Sequence, residues 1–306
     1  MKAAFIERYG GPEEFEYGEF PDPVAGSGKV VVDIVATSVN AADWKVRLGE
    51  YKHTKLPLIP GRDFSGVVSA IGDGVTEFVV GDEVFGVCEV GQEGTYAEKI
   101  AIKAAIIAGK PSDLSHENAA ALALTGLTAL SAIEDTLKLQ RGETILIQGG
   151  AGGVASFAIQ LAKHIGARVI TTASAANHAY VQALGADEIV DYNARDFTQA
   201  VSNCDAVFDT VGGDVARRSF AVLRPGGRAA FIASGVQAPR PERSDVTALR
   251  PPVERGRRPL ERIVELYRAG AVRPPEIKLY RLSEAADAHR LSESRHFRGK
   301  LILRIR

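Results

Sequence analysis

The stretch GETILIQGGAGGVASFAIQLAKHIGARVITTAS, residues 142–174, decides how the rest of the chain is read. Ile145, Leu146 and Ile147 form a short apolar run with two β-branched members, as expected of a strand buried on both faces. Gly149-Gly150-Ala151-Gly152-Gly153 then make a glycine-rich turn. Val154, Phe157, Ala158, Leu161, Ala162 and Ile165 recur at helical spacing, and Gly166 marks the helix end. Residues 168–173 (RVITTA) read as the next strand. Strand, glycine turn, helix and strand within about thirty residues is the setting in which such a turn binds a dinucleotide. Small residues let the backbone approach a pyrophosphate, and the free N–H groups at the helix start attract the anion. Ala155 stands where a third glycine often sits and is still small enough for close helix–strand packing.

Downstream the alternation continues. A helix over 176–184 precedes a strand at 188–192, a strand at 205–211 precedes a helix over 214–223, and further strands are expected at 228–233 and 245–249. Strands alternating with helices of this length imply a parallel sheet with right-handed crossovers, a doubly wound Rossmann sheet in an α/β chain. Ligands bind beyond the carboxyl ends of such strands. That rim collects Gly150, Ala151, Gly152, Gly153, Val154, Ser174, Val211, Gly212, Ser234 and Gly235 as the expected cofactor contacts. After Arg250 the basic, proline-containing PPVERGRRP reads as a solvated connector to a helix over 260–269.

Upstream the character differs. Residues 29–39, 66–71 and 83–87 are strand-like, and 103–111 reads as a last strand and exit. Glycine, proline and aspartate turns separate them, which suggests a compact, partly closed β-barrel. The 306 residues suffice for two domains, with 45% hydrophobic and 25% charged residues, an ordinary globular composition. A net charge of -1 gives no reason to propose nucleic acid or an anionic membrane as partner, and no apolar run is long enough to span a bilayer. The N-terminus lacks a signal-peptide core, and Cys88 and Cys204 are the only cysteines, in keeping with a reducing cytoplasm.

Taken together, MKAAFIERYGGPE, SVNAADWKVRLG, PGRDFSGVVSAIG, VVGDEVFG, GTYAEK, LALTGLTAL, QGGAGGV, GADEIVDY, DAVFDTVGG, LRPGGR and FRGKLIL resemble the medium-chain dehydrogenase/reductase superfamily. The likeness is to its zinc-free quinone oxidoreductase (zeta-crystallin-like) branch and spans nearly the whole chain. It implies a GroES-like catalytic domain over 1–111, an inserted Rossmann domain over 112–271, and a return segment over 272–306 that completes the first domain. It also implies hydride transfer to a quinone, enone or enal. Zinc-dependent relatives carry Cys where this chain has Asn40, a His-Glu pair where it has Arg62-Asp63, and Cys where it has Leu124. Arg62 cannot coordinate a cation, so no metal is expected. The resemblance implies that Asn40 and Thr128 lie near a nicotinamide, with Asp43 supporting the Asn40 loop. Tyr51 and Lys52 are candidates to donate a proton or polarise a carbonyl.

An NAD site normally offers an acidic residue at the end of the second strand, where this chain has Ala173-Ser174. Nothing there repels a 2′-phosphate, so NADPH is the expected cofactor. In NADPH-dependent relatives a tyrosine matches Tyr192, a lysine matches Asn177, and a C-terminal arginine matches Arg295 in some. The missing lysine implies a looser grip on the phosphate. The resemblance further implies a homodimer paired through the Rossmann sheet edge. The alternative reading is an NADPH-binding protein with a structural or regulatory role and little turnover. A methyltransferase is set aside because Ser174 replaces the acidic strand end, and so is a short-chain dehydrogenase, which uses a catalytic Tyr with a Lys four residues later.

Overall fold

The computed structural model describes residues 1–51, 55–233, 235 and 237–306. Internal contacts divide the chain into two units: residues 1–124, 255–265 and 274–306 form one, and residues 125–254 and 266–273 the other.

The first unit is built around the strand Lys29–Val39, whose β-branched residues alternate toward a buried core. One edge pairs with Asp63–Ile71; the other is shared, Lys99–Lys103 taking residues 29–33 and Lys300–Arg304 taking residues 36–39. Glu83–Val87 and Ile107–Gly109 extend the sheet on one side and Ile277–Arg281 on the other. A strand shared in this way curls the sheet into a partly closed barrel. Val30, Val32, Ile34, Phe64, Val84, Ile102 and Ile107 fill one side of it, and Tyr96, Leu301, Leu303 and Ala288 pack on another. The last expected strand is divided, since residues 104–106 form a short 3₁₀ turn between Lys99–Lys103 and Ile107–Gly109. The strand Ile277–Arg281 and the helix Ala285–Ser294 were not expected from the sequence, because neither carries a strong apolar period.

The second unit holds a six-stranded sheet in the order Glu188–Val190, Arg168–Thr172, Thr144–Gln148, Cys204–Asp209, Leu223–Phe231, Thr247–Leu249, with every pair parallel. The α/β architecture with a Rossmann-type sheet is therefore as expected. The helix after the glycine turn runs Gly153–Ile165 and ends at Gly166, whose φ of 94° is left-handed and suits glycine. Its inner face buries Ala155, Phe157, Ala158, Leu161 and Ala162. No helix among the described residues is long and apolar enough to cross a membrane.

Candidate active site

Because all six strands are parallel, their carboxyl ends share one rim of the second unit. Gly149 has φ +75° and donates its N–H to Thr172 Oγ1 at 3.0 Å, while Gly150 donates to the Thr172 carbonyl at 2.9 Å. A Cβ on Gly150 would stand 2.3 Å from Thr171 Oγ1, and that hydroxyl is itself tied to the Ile147 carbonyl at 2.7 Å. Only glycine fits. Gly152 precedes the 13-residue helix without any side-chain cap, so the first helical N–H groups are left for a ligand.

The neighbouring strand ends complete this rim. Ser174 follows Arg168–Thr172, and its hydroxyl oxygen accepts from Asn177 Nδ2 at 3.1 Å, while its O–H has no acceptor among the described residues. Asp209 ends the strand Cys204–Asp209, on the other side of Thr144–Gln148; its carboxylate accepts from Val211 N–H at 3.2 Å and Gly212 N–H at 2.9 Å and shapes that turn. Gly212 has φ +82°, and a Cβ there would approach the Ala233 carbonyl to 2.8 Å. Tyr192 is exposed, Gly235 lies in a loop, and Thr128 is buried in the helix His116–Leu130. Ser234 lies outside the described residues. Arg295 belongs to the first unit, where it caps the helix Ala285–Ser294 with φ 57° and sets its guanidinium 5.8 Å from the Trp44 ring centre.

In the first unit Asn40 opens the helix Ala41–Arg47. Lys300 Nζ donates to Asn40 Oδ1 at 2.7 Å and to the Val39 carbonyl at 2.8 Å. An ammonium has only donors, so the amide orientation is fixed: Oδ1 faces Lys300, and Nδ2 faces Asp63 Oδ1 at 3.2 Å. Asp63 is fully buried and also accepts from Ser38 Oγ at 2.8 and 2.7 Å and from Ser38 N at 3.2 Å. Burial pushes its carboxyl up, against the pull of Lys300 and Ser38, while burial pushes the Lys300 amine down.

Asp43 Oδ2 accepts from the Asn40 N–H at 2.8 Å and the Tyr96 hydroxyl at 3.0 Å. Tyr96 in turn meets His289 Nε2 at 3.0 Å, and His289 Nδ1 meets Arg47 Nη1 at 3.0 Å. Arginine can only donate, so Nδ1 carries the lone pair and Nε2 the proton, which it gives to Tyr96. Burial, helped by Arg47, pushes His289 down to about 3, consistent with a neutral ring. Arg47 closes the chain on the Gly10 carbonyl at 2.9 Å and on Glu293 Oε1 at 2.6 Å. Residues from 10, 38–47, 63, 96, 289–293 and 300 thus meet behind Asn40.

Arg62 stands beside them. Its Nε donates to Glu93 Oε1 at 2.8 Å, it lies 4.0 Å from Asp43 Oδ1, and its guanidinium packs 5.2 Å from the Tyr51 ring centre. Burial pushes the Asp43 and Glu93 carboxyls up, with Arg62 opposing. Of the expected substrate-side residues, the structure therefore joins Asn40 to Asp43 and brings Tyr51 to Arg62; Lys52 lies outside the described residues. Sequence reading missed Glu93, Tyr96, His289 and Lys300. The one local signal was Lys300, a lysine opening an apolar strand. Among the described residues no three His, Cys, Asp or Glu side chains group as metal ligands. Both cysteines are buried, and burial pushes the Cys88 thiol up and that of Cys204 up to about 12, so neither is an activated nucleophile. Tyr51 and Lys55 do have the four-residue spacing of a short-chain dehydrogenase pair, but both lie outside any helix.

The model of the alcohol dehydrogenase GroES-like domain matches residues 26–112, and that of a zinc-binding dehydrogenase matches residues 184–303. An NADPH-dependent alkenal/one oxidoreductase of Arabidopsis thaliana is 31% identical over 99% of this chain and 79% of its own length. A 2-methylene-furan-3-one reductase of Solanum lycopersicum is 37% identical over 69% of this chain, a match that spans 56% of that protein. The quinone oxidoreductase structure from Coxiella burnetii is 35% identical, superposes with a TM-score of 0.95, and is covered to 99% by all of this chain. The chain belongs to the medium-chain dehydrogenase/reductase superfamily, in its quinone oxidoreductase branch.

Proposed function

We propose that this protein is a zinc-independent NADPH-dependent reductase of quinones and α,β-unsaturated carbonyl compounds. One pairing carries the reading: a glycine turn shaped for a pyrophosphate, and a buried cluster rich in hydrogen-bond donors without an activated nucleophile. The activities for which the Arabidopsis and tomato relatives and the Coxiella protein are named support the same substrate classes.

Residues 150–154 would hold the pyrophosphate, with the helix N-terminus supplying N–H groups. Ser174 and Asn177, with Tyr192 and Arg295, would meet the 2′-phosphate, and the lack of a carboxylate at Ser174 favours NADPH over NADH. Val211, Gly212, Ser234 and Gly235 would line the remainder of the dinucleotide, and Thr128 the nicotinamide. The bound nicotinamide supplies a hydride. Asn40, Tyr51 and Lys52 then orient the acceptor and offer donors toward its oxygen, where negative charge develops. Residues 1–111 and 272–306 are assigned to the substrate side and residues 112–271 to the cofactor side. A homodimer paired through the free edge at Thr247–Leu249 and a cytoplasmic location complete the proposal.

The test is NADPH consumption by chelator-treated protein with a benzoquinone, a naphthoquinone, an enone, a 2-alkenal and a plain aldehyde, repeated with NADH. Turnover on quinone or enone with NADPH preferred is the expected result. Tight NADPH binding with no turnover on any of them would favour a binding role instead.

A further inference from the structure

Arg62 is paired in an unusual way. An arginine that only neutralises a carboxylate gains most by engaging it with two parallel N–H groups. Here a single bond, from Nε to Glu93 Oε1, joins the two, while Glu93 Oε2 is buried without a partner. The two terminal amino groups of Arg62 have no acceptor among the described residues, and they are not among its buried, unpartnered side-chain atoms. The side chain is nonetheless only 14% exposed. Glu93 grips one side of the guanidinium, Asp43 Oδ1 lies 4.0 Å from Nε, and the Tyr51 ring packs at 5.2 Å. A desolvated cation is thus held by its inner edge while its outer fork has no acceptor among the described residues. Such a fork is preorganised for an oxygen that carries, or acquires, negative charge.

We propose that the terminal fork of Arg62 receives the substrate's carbonyl oxygen and stabilises the charge that forms on it. This rests on the reductase reading above and adds the group that recognises the acceptor. A hydride from the C4–H bond of a bound NADPH, which would be left as NADP⁺, would form a C–H bond at the β-carbon while the C=C π pair shifts toward the carbonyl. The C=O π pair comes to rest on oxygen as an enolate, opposite Arg62. The α-carbon then takes a proton from water, the C=O bond reforms, and the saturated carbonyl leaves. Asp43 stands between the inner edge of the guanidinium, 4.0 Å from Nε, and the Asn40 loop, whose N–H its other oxygen accepts at 2.8 Å. Glu93 acts as the positioning residue for the guanidinium, whose face packs on the Tyr51 ring.

Benzoate is the probe, because its planar carboxylate imitates the charged oxygen without being reduced. Its binding to the full-length protein saturated with NADPH would be followed by calorimetry for the wild type, Arg62→Lys, Arg62→Gln and Arg62→Gln/Glu93→Gln. The double variant removes both charges together and so leaves no lone buried carboxylate at Glu93. Benzoate is expected to bind the wild type and compete with the enone. Both glutamine variants should lose benzoate binding and about 100-fold or more in kcat/KM, with NADPH affinity within about twofold. Arg62→Lys should fall between, as an ammonium lacks the planar fork. Wild type that fails to bind benzoate, or a double variant that binds it equally and keeps kcat/KM within about threefold, overturns the proposal. Benzoate binding that tracks Arg62 in a protein with no enone or quinone turnover would sink the reductase reading and leave the oxyanion site standing.

Discussion

The rim of the parallel sheet and the cluster behind Asn40 are built on opposite principles. The rim is local: its central turn lies within residues 149–153, and what matters there is the absence of side chains and the supply of backbone N–H groups. The cluster is assembled from residues 38–47, 62–63, 93–96, 289–293 and 300, and what matters is that buried polar and charged side chains hold one another in place. A site made of backbone tolerates many changes around it but none that add a Cβ at Gly150. A site made of buried charges fails wherever one partner is lost, because the other then lies desolvated and unpaired.

That contrast can be broken at several points. The largest effect is expected at Lys300, whose removal strips donors from Asn40 Oδ1 and the Val39 carbonyl and leaves buried Asp63 without its nearby cation. Lys300→Met should cost about 3–5 kcal/mol in chemical denaturation. It should also lower kcat about tenfold through the freed Asn40 amide, without changing NADPH affinity. A stable, fully active variant would show that the cluster is ornament.

Next comes Ser174. Ser174→Asp places a carboxylate where a 2′-phosphate is expected and should weaken NADPH about 100-fold while sparing NADH, as read by fluorescence titration. Unchanged preference would mean that the phosphate lies elsewhere on the rim.

The pH dependence of stability separates two buried groups of the cluster. His289 is held near 3 in the fold against an ordinary 6.5, so its contribution is full above pH 6.5 and is lost as pH falls toward 3. The loss should amount to about 1.4 kcal/mol per pH unit at most. His289→Gln should flatten this acid limb by one proton in denaturation measured at several pH values. Glu93 has the opposite sign: its carboxyl is raised from 4.5, so its contribution is full below that value and is lost as pH rises. Glu93→Gln should therefore flatten the decline between pH 4.5 and about 8. The smallest effect belongs to the exposed Arg168–Glu188 pair, 2.8 Å apart on the second unit. Glu188→Gln should change stability by no more than about 0.5 kcal/mol.

The same contrast decides what the sequence made legible. Ile145 to Ile147, the glycine turn, and Gly166 speak through period, composition and a helix stop, all within one short window, and the observed elements follow them closely. The pairing of Lys29–Val39 with three different strands was not readable, since register arises only when distant segments meet. Asn40 stood out through the family resemblance, whereas Lys300 and His289 lie 260 and 249 positions further on and carried no pattern linking them to it. His289 in particular sits on a helix whose polar composition hides its buried face. Arg62 was visible only as a residue that cannot bind metal, and its open fork became apparent once Glu93 was found holding Nε. Backbone sites announce themselves locally; charge clusters do not.

The central claim is hydride delivery to a conjugated carbonyl by a protein that needs no zinc. The most direct test supplies NADPH carrying deuterium at the transferable position to chelator-treated protein with a cyclic enone, and reads the product by NMR. The account predicts the saturated ketone with deuterium at the β-carbon and a solvent proton at the α-carbon. Deuterium on the carbonyl carbon of an allylic alcohol, or turnover that returns only when zinc is restored, would contradict it.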